Sequence, residues 1–275
     1  MLTISKIVVP VDFSDRCLGT LPHAQAVASK CDAEVTLLHV VNPVYLIPAV
    51  GPFGPAIISV SPSVFENASR QLDAFGVDQL QECRVRRLIY EGDPAEQIVA
   101  FTKSEEIHLI IMPTHGLGRL RRFLLGSVTA KVLHDVACPV LTGVHMEQAS
   151  QAKPGNFSNI LCAVDLGPNS QRALAWAARL AEAFHARLGI VHAVPSSNLG
   201  AERDNIEQLQ QSAGAKAADI YIREGEPVKA VISVAKSMAA DLLVIGRAVH
   251  EDPTGRLRPN AYAMISQSIC PVVSV

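Results

Sequence analysis

The chain repeats itself, and this constrains its fold more than any other feature. Ile160-Leu-Cys-Ala-Val-Asp165 echoes Ile7-Val-Val-Pro-Val-Asp12 at an offset of 153 residues, and His192 matches His39 at the same offset. Glu224-Gly-Glu-Pro227 matches Glu91-Gly-Asp-Pro94 at an offset of 133, as Ile245-Gly246 matches Met112-Pro113, and Cys270-Pro-Val272 answers Cys138-Pro-Val140. Landmarks recurring once, in one order and at this distance, mark a duplicated domain rather than a solenoid unit. The fall in offset means that repeat two is shorter between its second and third strands, where repeat one carries a Pro/Gly-rich segment. The expected division is a first domain over 1–145, a polar linker over 146–157 with Lys153, Pro154 and Gly155, and a second domain over 158–275.

Each repeat alternates short apolar runs with helical spacing. In repeat one the runs Ile4–Val11, Glu34–Val41, Val85–Tyr90, Leu109–Met112 and Pro139–Val144 read as strands. Helical patterns run through Leu18 to Ala28, around Val64 to Leu80, Ala95 to Thr102 and Ser127 to His134. Strands alternating with helices of this length predict an α/β fold: two tandem open sheets, mostly parallel and five-stranded, with helices on both faces.

One stretch has the ingredients of an anion site. His108-Leu-Ile-Ile-Met112 is a buried-strand run ending at Pro113; a loop bearing Gly116 follows, and Gly126-Ser127 opens a helix whose apolar residues fall at Val128, Val132, Leu133 and Val136. Unpaired N–H groups and the helix dipole converge at such a start, and glycine lets a phosphate approach the backbone. In open α/β sheets ligands bind beyond the carboxyl ends of the strands, where strand order reverses, which points to Pro10–Ser14, Val40–Asn42 and Pro113–Ser127 as one mouth. The plainer roles are ordinary ones: turn glycines, a serine helix cap, and Asp12 favouring the following helix N-terminus.

Gly116, nine residues, then Gly126-Ser127 resembles the nucleotide-phosphate signature of the universal stress protein family, G-x2-G-x9-G-S/T, with Pro113 standing at the first glycine. The resemblance covers nearly the whole chain as two copies. It implies that adenosine lies between Pro10-Val11-Asp12 and Val40, and that phosphates sit on the loop of Pro113, His115 and Gly116 and on Gly126-Ser127-Val128. The ligand it implies is ATP or another adenine nucleotide, with or without Mg2+. It also implies that domains pair through their last strands, here Pro139–Val144 and Pro271–Val275, as an internal pseudo-dimer that can itself form a homodimer. Proline at position 113 removes one backbone donor, roughly 1 kcal/mol of binding. Repeat two keeps Asp165 and Gly246 but has Val249 in place of Gly116 and Arg258-Pro259-Asn260-Ala261 in place of the Gly-Ser helix start. It is expected to be empty or to bind differently, with Arg247 filling its mouth, and to serve mainly as a packing partner.

The remaining signals exclude function classes. Apolar content of 49% and charge of 18% build real cores and exclude a disordered chain. A net charge of −2, with only short basic clusters such as Arg119, Arg121 and Arg122, argues against nucleic-acid binding. Those arginines either screen phosphate or form a solvated face. The longest uncharged stretch, Val44–Val64, is broken by six Pro and Gly residues and cannot span a membrane; it is either a lid over the mouth, a contact surface, or a loop packed on its own domain. No targeting segment is visible at the start. The six cysteines, at 17, 31, 83, 138, 162 and 270, lack metal-like spacing and read as buried reduced thiols of a cytoplasmic protein. No Walker lysine, G-x-S-x-G elbow or metal cluster marks a dedicated enzyme, and His115 is a lone loop histidine. The expected function is a nucleotide-binding stress protein with a sensor or interaction role. The alternatives are a structural dimerisation module without nucleotide, or a slow adenine-nucleotide hydrolase drawing on His115 and Asp12.

Overall fold

The structure, a computed structural model, describes residues 4–43, 62–116, 125–143, 156–194, 199–215, 217–247 and 259–275. Repeat one comprises β1 (Lys6–Val11), α1 (Asp15–Leu18), α2 (Leu21–Cys31), β2 (Glu34–Val41), α3 (Pro62–Ala74), β3 (Arg84–Glu91), α4 (Pro94–Ser104), β4 (Leu109–Ile111), α5 (Ser127–Asp135) and β5 (Val140–Thr142). Repeat two comprises β6 (Asn159–Val164), α6 (Ser170–Phe184), β7 (Arg187–Val194), α7 (Leu199–Ser212), β8 (Asp219–Glu224), α8 (Pro227–Ser237), β9 (Leu242–Ile245), α9 (Pro259–Gln267) and β10 (Val272–Ser274).

The strands form one sheet in the order β3-β2-β1-β4-β5-β10-β9-β6-β7-β8. Each half is a parallel five-stranded sheet, and the two join where β5 and β10 run antiparallel, with Val140 opposite Ser274 and Thr142 opposite Val272. The expected pairing through the last strands is therefore present. Within each half the strand order reverses beside the first strand: β1 has β2 on one side and β4 on the other.

Alternation along the strands sorts side chains into two cores. Ile7, Val9 and Val11 of β1 join Leu21, Ala24 and Val27 of α2, Leu72 of α3 and the α6 residues Leu174, Ala177 and Leu180 on one face. Val8 joins Ile98 and Phe101 of α4, Val132 and Leu133 of α5, and Val231 and Ile265 of α8 and α9 on the other. Central strands covered on both faces are apolar throughout, as Leu109–Ile111 is, because βα crossovers place a helix over each face.

Local chemistry moves several boundaries. The helical pattern from Leu18 to Ala28 is two helices, because Pro22 lacks the N–H an uninterrupted helix needs and takes the first turn of α2 instead. The helix expected around Val64–Leu80 starts at Pro62 and stops at Ala74, and Gly76 follows with φ of +70°. The fifth strand is shorter than Pro139–Val144, since Pro139 has no N–H for the ladder. Cys17, Cys162 and Cys270 are buried, but Cys31, Cys83 and Cys138 are only partly so, which corrects the expectation that all six are interior thiols; all six are free. Phe157, placed in the expected linker, is buried against the core, stacked on His23 and tilted against Phe184. The linker residues 146–155, most of the 44–64 segment, Val249 and Arg258 lie outside the described residues. No helix among the described residues is long and apolar enough to cross a membrane.

His23 gives the junction between repeats a pH dependence. It is buried on α2 against Phe157, its Nδ1 has no hydrogen-bond partner, and burial lowers its pKa from 6.5 to about 4. The unfolded chain then binds a proton that the folded chain refuses, so stability is complete above the unfolded value and is lost as pH falls from about 6.5 towards 4. Between pH 7 and pH 5 the loss is on the order of 2 kcal/mol. Urea unfolding of wild type and of His23→Leu at both pH values checks this: the variant is expected to lose markedly less stability on acidification.

Candidate functional site

The carboxyl ends of β1 and β4 part at the reversal of strand order, and the crevice between them opens into a cavity of about 440 Å³. That volume lies within the range of small-molecule sites. All ten residues expected from the sequence line it: Pro10, Val11 and Asp12 from the end of β1, Val40 from β2, Pro113, His115 and Gly116 from the loop after β4, and Gly126, Ser127 and Val128 at the start of α5. Leu38, His39, Pro94, Ile98, Met112 and Thr129 complete the wall.

Each part is held by a local rule. The last β1–β2 pair is Val11 opposite His39, so Val40 lies one residue beyond it, at the open side of the crevice. His39 Nδ1 contacts the Val11 carbonyl at 2.7 Å, and His192 repeats the contact to Val164 at 2.8 Å. Phe13 and its counterpart Leu166 both adopt left-handed backbone, φ +61° and +59°. That turn lets Asp12 Oδ1 accept from the N–H of Ser14 at 3.0 Å and from its hydroxyl at 2.6 Å. The local role expected of Asp12 is thus real, and its second oxygen, Oδ2, is left facing Gly116.

Gly116 is required by that approach: a Cβ there would overlap Asp12 Oδ2. Gly126 donates its N–H to the Thr114 carbonyl at 2.8 Å, folding the loop back on itself, and a Cβ on it would sit 3.3 Å from that same oxygen. The Thr129 hydroxyl donates to the Pro113 carbonyl at 3.1 Å, so the proline that lacks a donor still anchors α5. The cap of α5 is Gly126 rather than Ser127, which occupies the first helical position. A glycine cap offers no side-chain acceptor, and no side-chain cap bond is made to the first-turn N–H groups of α5. Ser127 is exposed there.

Among the described residues, charge around the mouth is sparse. Asp12 is the one carboxylate among the described lining residues. The cation beside the loop is Arg16, whose Nη1 donates to the Gly116 carbonyl at 3.5 Å; Arg119, Arg121 and Arg122 lie outside the described residues. His115 is buried, with Nδ1 3.1 Å from the Thr114 hydroxyl and Nε2 without a hydrogen-bond partner. Burial first, and Arg16 second, lower its pKa and keep the ring neutral. Arg16 carries no cue beyond its place one turn after Asp12. His39 had one, its exact recurrence as His192.

In repeat two the corresponding mouth is smaller, about 210 Å³, and is lined by Asp165, Asn169, His192, Gly246 and Asn260 among others. Arg247 does not fill it. Its side chain crosses the junction and donates to the carbonyls of Leu133 and Cys138, both at 2.9 Å, at the far end of α5. The expectation of a blocking arginine is corrected for a physical reason: the Leu133 carbonyl in the last turn of α5 and the Cys138 carbonyl just beyond the helix need donors, and a guanidinium supplies two in one plane.

Fold and crevice together define a tandem, doubly wound α/β protein whose first mouth has the features of a phosphate-accepting helix start. A model of the universal stress protein family matches residues 3–142 and again 156–275. The chain belongs to that family. Universal stress protein MJ0531 of Methanocaldococcus jannaschii is 33% identical over 141 residues, half of this chain and 79% of the relative. Universal stress protein MJ0577 of the same organism is 29% identical over 155 residues, covering 50% of this chain and 92% of the relative. A crystal structure of a universal stress protein from Archaeoglobus fulgidus superposes with a TM-score of 0.77 over 98% of this chain and 97% of its own, at 20% identity, and so shares the whole tandem fold.

Proposed function

We propose that the chain binds ATP or a related adenine nucleotide in the mouth of repeat one and acts as a sensor or interaction module rather than as a dedicated enzyme. The observation that carries this is the convergence of all ten expected residues on one cavity at the reversal of strand order. The apolar wall of Leu38, Val40, Ile98 and Met112 suits a purine, and the first turn of α5 suits phosphate oxygens. Mg2+ would arrive with the phosphates, because a single lining carboxylate is too few for a protein-built magnesium site. Ser127 and Asp12 are the residues present that could touch its hydration shell, and the ion would supply charge neutralisation there. Six free thiols fit a reducing, cytoplasmic setting.

Calorimetric titration of the full chain with ATP, AMP and adenosine tests the proposal. One saturable site is expected, with ATP bound more tightly than adenosine, since only the phosphates reach the α5 start. Absence of binding by all three supports the structural dimerisation reading instead, and steady phosphate release during the titration supports a hydrolase.

A further inference from the structure

Repeat two does more at this junction than close the sheet. Tyr262 lies on α9, the counterpart of α5, and its hydroxyl accepts the backbone N–H of Leu125 at 2.9 Å. Leu125 immediately precedes Gly126, so the bond falls on the last residue of the loop before the helix start. At the opposite end of α5, Arg247 caps the Leu133 carbonyl. Both ends of the helix are thus held by repeat two, while the Gly126 N–H to Thr114 bond and the Thr129 hydroxyl to Pro113 bond hold it to its own strand.

The tether is one-sided. The α9 residue Tyr262 corresponds, at the 132-residue offset of the Cys-Pro-Val landmark, to Ala130 of α5, which has no hydroxyl to return the bond. The repeat that lost Gly116 and the Gly-Ser helix start is the one that supplies the tyrosine. The repeat that kept them is the one that receives it.

We propose that Tyr262 is a positioning residue for the phosphate-accepting start of α5: its hydroxyl holds the amide of Leu125, one residue before the Gly126 cap, so that the first-turn amides of α5 are already aimed when a polyphosphate arrives. This rests on the nucleotide reading above. A donor left free to rotate must be ordered at the moment of binding, and preorganisation removes that cost. The consequence is specific to the phosphates, because the adenosine end of the mouth, at Val11 and Val40, makes no use of the loop.

The test is Tyr262→Phe in the full chain, which removes one hydroxyl and keeps the ring. Amide exchange of the peptide covering 113–130, measured without ligand, is expected to speed about fivefold to tenfold at Leu125, in keeping with loss of one ordinary hydrogen bond. Titration is expected to show a similar loss for ATP and none for adenosine. Unchanged exchange overturns the tether, and equal losses for ATP and adenosine, or none for either, overturn its role towards phosphate. A wild-type chain that binds no ATP overturns the nucleotide reading and with it the phosphate role. The exchange arm then still decides, independently, whether Tyr262 orders the loop.

Discussion

Arg247→Leu is expected to lower unfolding stability by about 3 kcal/mol, a drop in melting temperature of roughly 5–10 °C for a chain of this size. Arg247 is 4% exposed, and its guanidinium serves two main-chain carbonyls of the other repeat. Burial lowers its pKa to about 10, yet it stays charged at neutral pH, beside the negative end of the α5 dipole. Leucine fills much of the space and avoids burying a charge, which by itself favours the variant. The opposing terms are larger: two buried carbonyls lose charge-assisted donors, each worth about 1.5–3 kcal/mol, and nothing apolar can replace them. Arg172, which donates to the Ala137 carbonyl at 3.0 Å, sits at the same seam and would remain in the variant. Arg247→Lys is expected to fall between, because an ammonium cannot span both oxygens in one plane. Thermal and urea unfolding of the three proteins checks the order, and a leucine variant as stable as wild type would mean that the Arg247 contacts add nothing to the junction.

What the sequence showed and what it hid follow the range of each interaction. The duplication and the α/β alternation were legible because they depend on local pattern, and the mouth was legible because the rule for open sheets and the family resemblance point to the same strand ends. A strand end, a glycine loop and a helix start lie within a few residues of one another, and the topology of open sheets then brings β1 and β4 together. The split at Pro22 and the short β5 were also local, and the chemistry of proline accounts for both. By contrast, Tyr262 meets Leu125 across 137 residues of chain and Arg247 meets Leu133 across 114. Nothing in the composition of either segment announces its partner. Arg247 next to a degenerate mouth looked like a plug because the nearest site in sequence was its own. The pseudo-twofold junction instead turns it outward, onto the repeat whose helix ends need donors. The mouth of repeat one is thus written in repeat one, while the grip on its helix is written in repeat two.

Gly116→Ala is expected to weaken ATP binding tenfold to a hundredfold with little change in stability. Gly116 does not sit in left-handed backbone, so alanine meets no dihedral strain and the substitution isolates the effect of the added methyl. That methyl would overlap Asp12 Oδ2. The carboxylate cannot simply swing aside, since its other oxygen holds both the N–H and the hydroxyl of Ser14 at 3.0 and 2.6 Å. Relief of the overlap then falls to the Gly116 backbone. A shift of Gly116 carries its amide away from the mouth and breaks the 3.5 Å contact between Arg16 and the Gly116 carbonyl. One or two charge-assisted hydrogen bonds to phosphate, at about 1.5–3 kcal/mol each, set the expected loss. In the proposed pose adenosine lies on the β1 and β2 side of the cavity and is expected to lose far less. Adding Asp12→Ala to Gly116→Ala removes the overlap and is expected to recover part of the ATP affinity, a coupling that independent sites would not show. Titration of the four proteins of this cycle with ATP and adenosine measures it directly. An alanine variant that binds ATP as wild type does would place the phosphates away from the loop between β4 and α5, and the nucleotide would then have to lie reversed in the crevice or outside it.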